Sequence, residues 1–174
     1  FEIEPLNVNT SGTVWEISED GKTLIQPLTS IKGLGEAAIA QILDNRPFEN
    51  IEDFIFNESI TYSKLNKKAL DVLIRSQAAN CLLDERFTNL KHFWASVAVE
   101  RPKNRKKFNE NIEFFKDEEE FSSEEKIQYL VDLTGVFPID LVLNGEVREK
   151  LENNMIPPLG EYDPELQLTW FIPR

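Results

Sequence analysis

The chain has 174 residues, 41% of them hydrophobic, and a formal net charge of −12. That is enough for one domain or two small ones with a real core. No apolar run approaches a membrane span, no signal peptide is visible, and a single cysteine (Cys81) rules out an internal disulfide, which fits a reducing, cytoplasmic setting. Phe1 stands where an initiator methionine would be, so a segment of a longer protein is expected. The acidity is uneven. Residues 1–107 carry 14 Lys/Arg against 15 Asp/Glu, whereas residues 108–174 carry 5 against 16. Charges are screened within about 8–10 Å at physiological salt, so an acidic tail leaves a polyanion open as partner of the first part.

Residues 1–27 alternate loosely. Thr13–Ile17 and Lys22–Gln26 read as two short strands joined by a turn at Asp20-Gly21. A short helix is expected near Leu28–Ile31 and a second over Glu36–Asn45, ended by Arg46-Pro47 because the residue before proline disfavours α geometry. Between them lies Lys32-Gly33-Leu34-Gly35. Two glycines flanking one apolar residue let the backbone turn tightly between helices, since glycine accepts positive φ. The second helix then begins with N–H groups suited to a phosphate oxygen. This is a helix-hairpin-helix pattern, which grips nucleic-acid backbone without reading bases. The alternative is a purely structural corner. A dinucleotide fingerprint is excluded by Ala38, where its third glycine would fall, and the chain contains no P-loop.

Further along, Ile51–Phe56 reads as a short helix, and Lys64–Ser76 as a stronger one with Leu65, Ala69, Val72 and Leu73 on its apolar face. Lys64, Lys67, Lys68 and Arg75 border the other side, as a phosphate-facing surface or a solvated face. A helix over Arg86–Val99 turns Phe87, Leu90, Phe93, Trp94 and Val97 inward, with Trp94 in the core and His92 at the surface. Arg101–Lys107 holds five positive charges, either for phosphate neutralisation or as a solvated linker. The acidic block Asp117–Glu120, with Glu124 and Glu125, reads as solvent-facing rather than as a metal site. Ser122-Ser-Glu-Glu opens a helix stopped by Gly135, with Ile127, Leu130, Val131 and Leu133 as its apolar side. Helices from Phe137 and near Val147–Asn153, and a strand over Leu166–Ile172, complete the reading. No catalytic dyad, Cys/His metal set or nucleotide loop is visible.

Three ordered stretches resemble the alpha subunit of bacterial and phage DNA polymerase III, the family C replicative polymerases. Pro5-Leu-Asn7-Val-Asn9-Thr-Ser11 is similar to the "P-x-V-N-x-S" that ends its fingers region, and Ile31-Lys32-Gly33-Leu34-Gly35-Glu36 to its "IKGVGE" hairpin. Pro47-Phe48-Glu-Asn-Ile51-Glu52-Asp53-Phe54 and Leu65-Asn66-Lys67-Lys68-Ala-Leu-Asp-Val-Leu73-Ile74 are similar to its "PF-x-S-L-E-D-F" and "V-N-K-R-x-L-E-x-L-I". Where the family has "K-A-G-A-F-D", this chain has Arg75-Ser-Gln77-Ala78-Ala79-Asn80, so a second phosphate-gripping hairpin loses its glycine.

The resemblance implies a mainly α fold: a tandem helix-hairpin-helix domain with a short β-hairpin at the N-terminus and a helical C-terminal extension. The expected divisions are 1–26, the end of a fingers-like region; 27–100, the DNA-binding domain; and 101–174, a charged linker and acidic extension leading toward an OB-like domain. It implies non-specific binding of duplex primer-template backbone by Lys32, Gly33, Leu34, Gly35, Lys64, Lys67 and Lys68, with a monovalent cation possible on hairpin carbonyls. The family's catalytic aspartates and their Mg lie in a palm domain upstream, and no residue here matches them. Other domains of the parent polymerase are the expected protein partners, and no membrane is involved. The alternative is a protein-interaction module using the acidic C-terminal half, where Phe114, Phe115 and Phe121 interleave with carboxylates.

Overall fold

Hydrogen bonds from short polar side chains set most of the element boundaries. The computed structural model describes residues 2–138, and residues 1–137 form one unit. The elements expected beyond Pro138 lie outside the described residues. Helix α1 (Glu36–Asn45) starts from Gly35 without a side-chain cap. Helices α2 (Ile51–Ile55), α3 (Lys67–Arg75), α4 (Leu90–Trp94) and α5 (Arg105–Phe114) each start after an asparagine: Asn50, Asn66, Asn89 and Asn104. In each case the side-chain oxygen accepts from the backbone N–H three residues on, which satisfies one orphan donor of the first turn. Helix α6 (Ser123–Thr134) opens with a reciprocal capping box between Ser122 and Glu125 and ends at Gly135 in the left-handed region.

These caps correct three expectations. The lysine-rich helix begins at Lys67 rather than Lys64, because Asn66 caps it. The expected Arg86–Val99 helix begins only at Leu90, and its second half, Ala95–Val99, widens into a π turn. The buried amide of Asn111 donates to the carbonyls of Ser96 and Glu100, and the Ser96 hydroxyl donates to His92 O, so side chains intrude on the ladder there. The basic run is no solvated linker: Arg101 is buried, and Arg105 starts α5.

At the N-terminus a three-stranded sheet has the order β1-β3-β2, with β1 at Glu2–Glu4, β2 at Glu16–Ile17 and β3 at Thr23–Ile25. The β2–β3 hairpin is the expected one, paired antiparallel with Ile17 opposite Leu24, and its turn carries Gly21 at φ 70°. Strand β1, which pairs parallel to β3, was not expected; its partner lies about twenty residues on in sequence, beyond any local signal.

The core is built from Leu28, Ile31, Ile42, Ile51, Phe54, Leu65, Leu70, Leu73, Phe93 and Phe108, all essentially inaccessible. His92 belongs to this interior at 1% exposure, against the surface position expected for it. Its Nδ1 accepts from the Thr88 N–H at 3.0 Å, and the ring therefore donates through Nε2 to Ile112 O at 2.8 Å. Trp94 is half-buried against the core and stacks edge-on to Phe121. On α6 it is Tyr129 and Leu133 that pack against the core, while no residue of that helix is fully buried.

The stretches that resemble polymerase motifs hold one another. The Asn9 side chain donates to Phe48 O and accepts from Phe48 N–H, forming a two-bond clamp. Arg46 reaches back to Ser11 O at 2.6 Å, and Val8 N–H donates to Ala78 O.

Candidate nucleic-acid interface

The hairpin begins with a single 3-10 turn, Leu28–Ser30, whose Leu28 and following Ile31 are buried anchors. The chain then exposes Lys32 and Gly33, buries Leu34, and exposes Gly35 before α1 begins. Gly33 sits at φ +87°, a conformation that L side chains rarely adopt. A Cβ there would also lie 3.4 Å from Lys68 Cε and 3.5 Å from Val72 Cγ1. Gly35 differs: its φ of −74° is ordinary, and a Cβ would meet nothing within 4 Å. The two glycines are thus unequal, and only Gly33 is required by the turn.

The backbone donors divide in the same way. Lys32 N–H donates to Leu133 O at 2.8 Å, and Leu34 N–H to Ile31 O at 3.3 Å. Among the described residues the N–H groups of Gly33, Gly35, Glu36 and Ala37 have no backbone or side-chain acceptor. Three consecutive unpaired donors at the start of a ten-residue helix, with that of Gly33 two residues before them, form a concentrated positive end.

The close approach of Lys68 to Gly33 shows that α3 lies against the hairpin and brings its ammonium to the glycine that follows Lys32. The other two lysines part from it. Lys67 lines a groove with Tyr62 and Arg101, and Lys64 sits in the turn that precedes α3, where its N–H donates to Thr61 O. Of the sequence-derived set, the structure gathers Lys32, Gly33, Leu34, Gly35 and Lys68 in one place and holds Lys64 and Lys67 elsewhere.

Arg75 is also committed. It makes a bidentate pair with Asp71 at 2.6 and 2.7 Å, and Trp94 donates its indole N–H to the same carboxylate at 2.7 Å. Burial pushes the Asp71 carboxyl up, but the Arg75 and Trp94 hydrogen bonds outweigh it and hold the group below its ordinary value. The guanidinium lies 4.9 Å from the Tyr129 ring centroid, which ties α6 to α3.

The second turn keeps a left-handed residue without glycine. Gln77 has φ +64° and stands where the first hairpin has Gly33, just past the C-terminus of α3. Ala79 N–H closes back on Leu73 O, and Ala78 and Ala79 are buried. The sequence reading missed one feature of the site, the role of α6. Its last carbonyls, Leu133 and Thr134, accept from Lys32 N–H and from the Gln26 side chain, so the acidic extension folds back onto the hairpin. Only a tertiary contact across about a hundred residues reveals this, and no local signal marks it.

Two helical pieces joined by a tight turn with left-handed Gly33, and a second turn with left-handed Gln77, define the helix-hairpin-helix class. Residues 1–89 match the helix-hairpin-helix motif family, and the chain belongs to it. The chain is also similar to DNA polymerase III subunit alpha of Pseudomonas aeruginosa, with 30% identity over 99 residues. That match takes in 55% of this chain and 8% of the relative, so the chain spans a small part of that protein's length.

Proposed function

We propose that this chain is a non-catalytic segment of a replicative DNA polymerase that holds duplex DNA by its backbone, without reading sequence. The observation that carries the reading is the hairpin at Gly33: unpaired N–H groups of Gly33, Gly35, Glu36 and Ala37, with exposed Lys32 next in the chain and the Lys68 ammonium close to Gly33. Oriented backbone donors take a phosphate oxygen, and the two lysines neutralise neighbouring phosphates. Such contacts are indifferent to base identity and weaken steeply with salt, which suits a protein that moves along its template. The carbonyls of Lys32, Gly33 and Leu34 accept no backbone hydrogen bond among the described residues and would hold a monovalent cation at the turn. Nucleotidyl transfer with its Mg would belong to the parent polymerase, acting in the cytoplasm with its other domains as partners.

The test is a titration of a fluorescent primer-template duplex at low and moderate salt, with the chain and with Lys32→Ala/Lys68→Ala. Affinity should fall with salt, ignore sequence, and weaken in the variant, whose salt slope should be shallower by about 2. A folded variant with unchanged affinity and slope would sink the reading.

A second reading, partner docking through the acidic half, is favoured by Phe114, which is 79% exposed and packs edge-on against Phe115. Truncation after residue 107 cannot test it, because Phe108 and Asn111 belong to the interior. Phe114→Ser is the cleaner probe: loss of a polymerase partner with duplex binding intact would support docking.

A further inference from the structure

A groove of about 530 Å³ lies between the turn at Tyr62, the first residue of α3 and the start of α5, with Tyr62, Lys67, Glu100, Arg101, Lys103 and Lys107 in its lining. Glu100 pairs with Lys107 at 3.4 Å. Lys67 and Lys103 make no direct ion pair among the described residues, and Asp71, which acts on Lys67 from one turn along α3, is already paired with Arg75.

The floor is unusually fixed. Arg101 is only 6% exposed, and its guanidinium donates to the carbonyls of Ile55, Tyr62 and Leu65. The same guanidinium lies 4.0 Å from the centroid of the Tyr62 ring. Tyr62 nevertheless remains 48% exposed. One side of the ring is therefore seated on an immobilised cation while the residue stays open to solvent. A ring already held in place loses little freedom when a planar group stacks on it.

A stacking platform flanked by unpaired cations is the chemistry of single-stranded nucleic acid. Duplex bases are already stacked on one another and offer no free face to a tyrosine, whereas an acidic peptide would use the lysines and leave the ring idle. We propose that this groove binds an unpaired nucleic-acid strand, one base stacking on Tyr62 and the adjoining phosphates neutralised by Lys67 and Lys103. The site is built from residues outside the Gly33 hairpin and stands whether or not that hairpin grips duplex.

The experiment measures fluorescence anisotropy of the 174-residue chain with a labelled single-stranded oligothymidine, an abasic strand of the same length, and a blunt duplex. Thermal melts confirm that each variant is folded. Tyr62→Ala should weaken oligothymidine binding between about 5- and 100-fold, and Tyr62→Phe should stay within about twofold of the original. Lys67→Glu/Lys103→Glu should weaken it as well and flatten its salt dependence. Duplex affinity should be unmoved by Tyr62→Ala, and oligothymidine affinity unmoved by Lys32→Ala/Lys68→Ala. The proposal fails if folded Tyr62→Ala binds oligothymidine as the original chain does, or if the abasic strand binds equally well. It fails too if the original chain binds no single strand even at low salt. Loss of duplex binding alone would bear on the hairpin and leave the groove standing.

Discussion

At the scale of single residues, conformation separates positions that look alike in sequence. Gly33 and Gly35 flank one leucine, yet only Gly33 has positive φ and neighbours where a Cβ would go. Gly33→Ala should cost about 1–2 kcal/mol in urea unfolding, and Gly35→Ser should stay within about 0.5 kcal/mol, because serine also serves well as an N-cap. Gln77 pays the cost that Gly33 avoids, at φ +64°. Gln77→Gly should raise stability by about 0.5–1 kcal/mol, the relief of left-handed strain less the extra freedom of the unfolded chain. Asp71 supplies a pH dependence with a definite sign. Its folded value lies below the ordinary 3.8, so its pairing stabilises the fold above that pH and is lost as pH falls through the folded value. Asp71→Asn should cost about 1–2 kcal/mol at neutral pH, and the difference from the original should shrink in strong acid, as urea melts at both pH values would show.

At the scale of elements, a charge that reads as a nucleic-acid contact can be a structural rivet. Arg101 donates to three backbone carbonyls, that of Ile55 at the end of α2 and those of Tyr62 and Leu65 in the segment leading to α3. Planar guanidinium geometry reaches several acceptors at once, and a lysine ammonium cannot span them. Arg101→Lys should therefore destabilise by about 2–4 kcal/mol by leaving buried carbonyls unpaired, measurable as a drop in melting temperature. The Glu52–Arg86–Asp84 network joins α2 to the turn before α4 in a similar way, with the guanidinium hydrogen bonds holding both carboxyls below their ordinary range. Glu120 is a further case: within the acidic block it accepts from the N–H groups of Leu90 and Lys91 at the start of α4, so part of that block is built into the fold.

For the molecule as a whole, charge and fold run along different divisions. The acidic half begins near residue 108, yet Phe108 and Asn111 are buried in the first unit and α6 returns its C-terminal carbonyls to the hairpin. Carboxylates of that extension lie on the body that carries Lys32 and Lys68, which tempers its positive field. Replacing Glu124 and Asp132, both exposed on α6, with glutamine and asparagine should strengthen duplex binding by less than about tenfold at low salt, with the gain vanishing at high salt. An equal gain at both salts would point to altered folding instead.

Much of this was written locally. The Gly33 turn, the span Glu36–Asn45 and the Ser122–Gly135 helix follow from glycine conformation, proline sterics and capping chemistry, each of which acts within a few residues. The sequence by itself thus determined the helical class, the hairpin and the family resemblance. Tertiary structure alone decided which lysines meet the hairpin, that His92 and Arg101 are interior, that β1 pairs with β3, and that α6 closes on Lys32. The physical reason is range: caps and turns are settled by neighbours in the chain, whereas burial and side-chain company depend on which distant segments the core brings together.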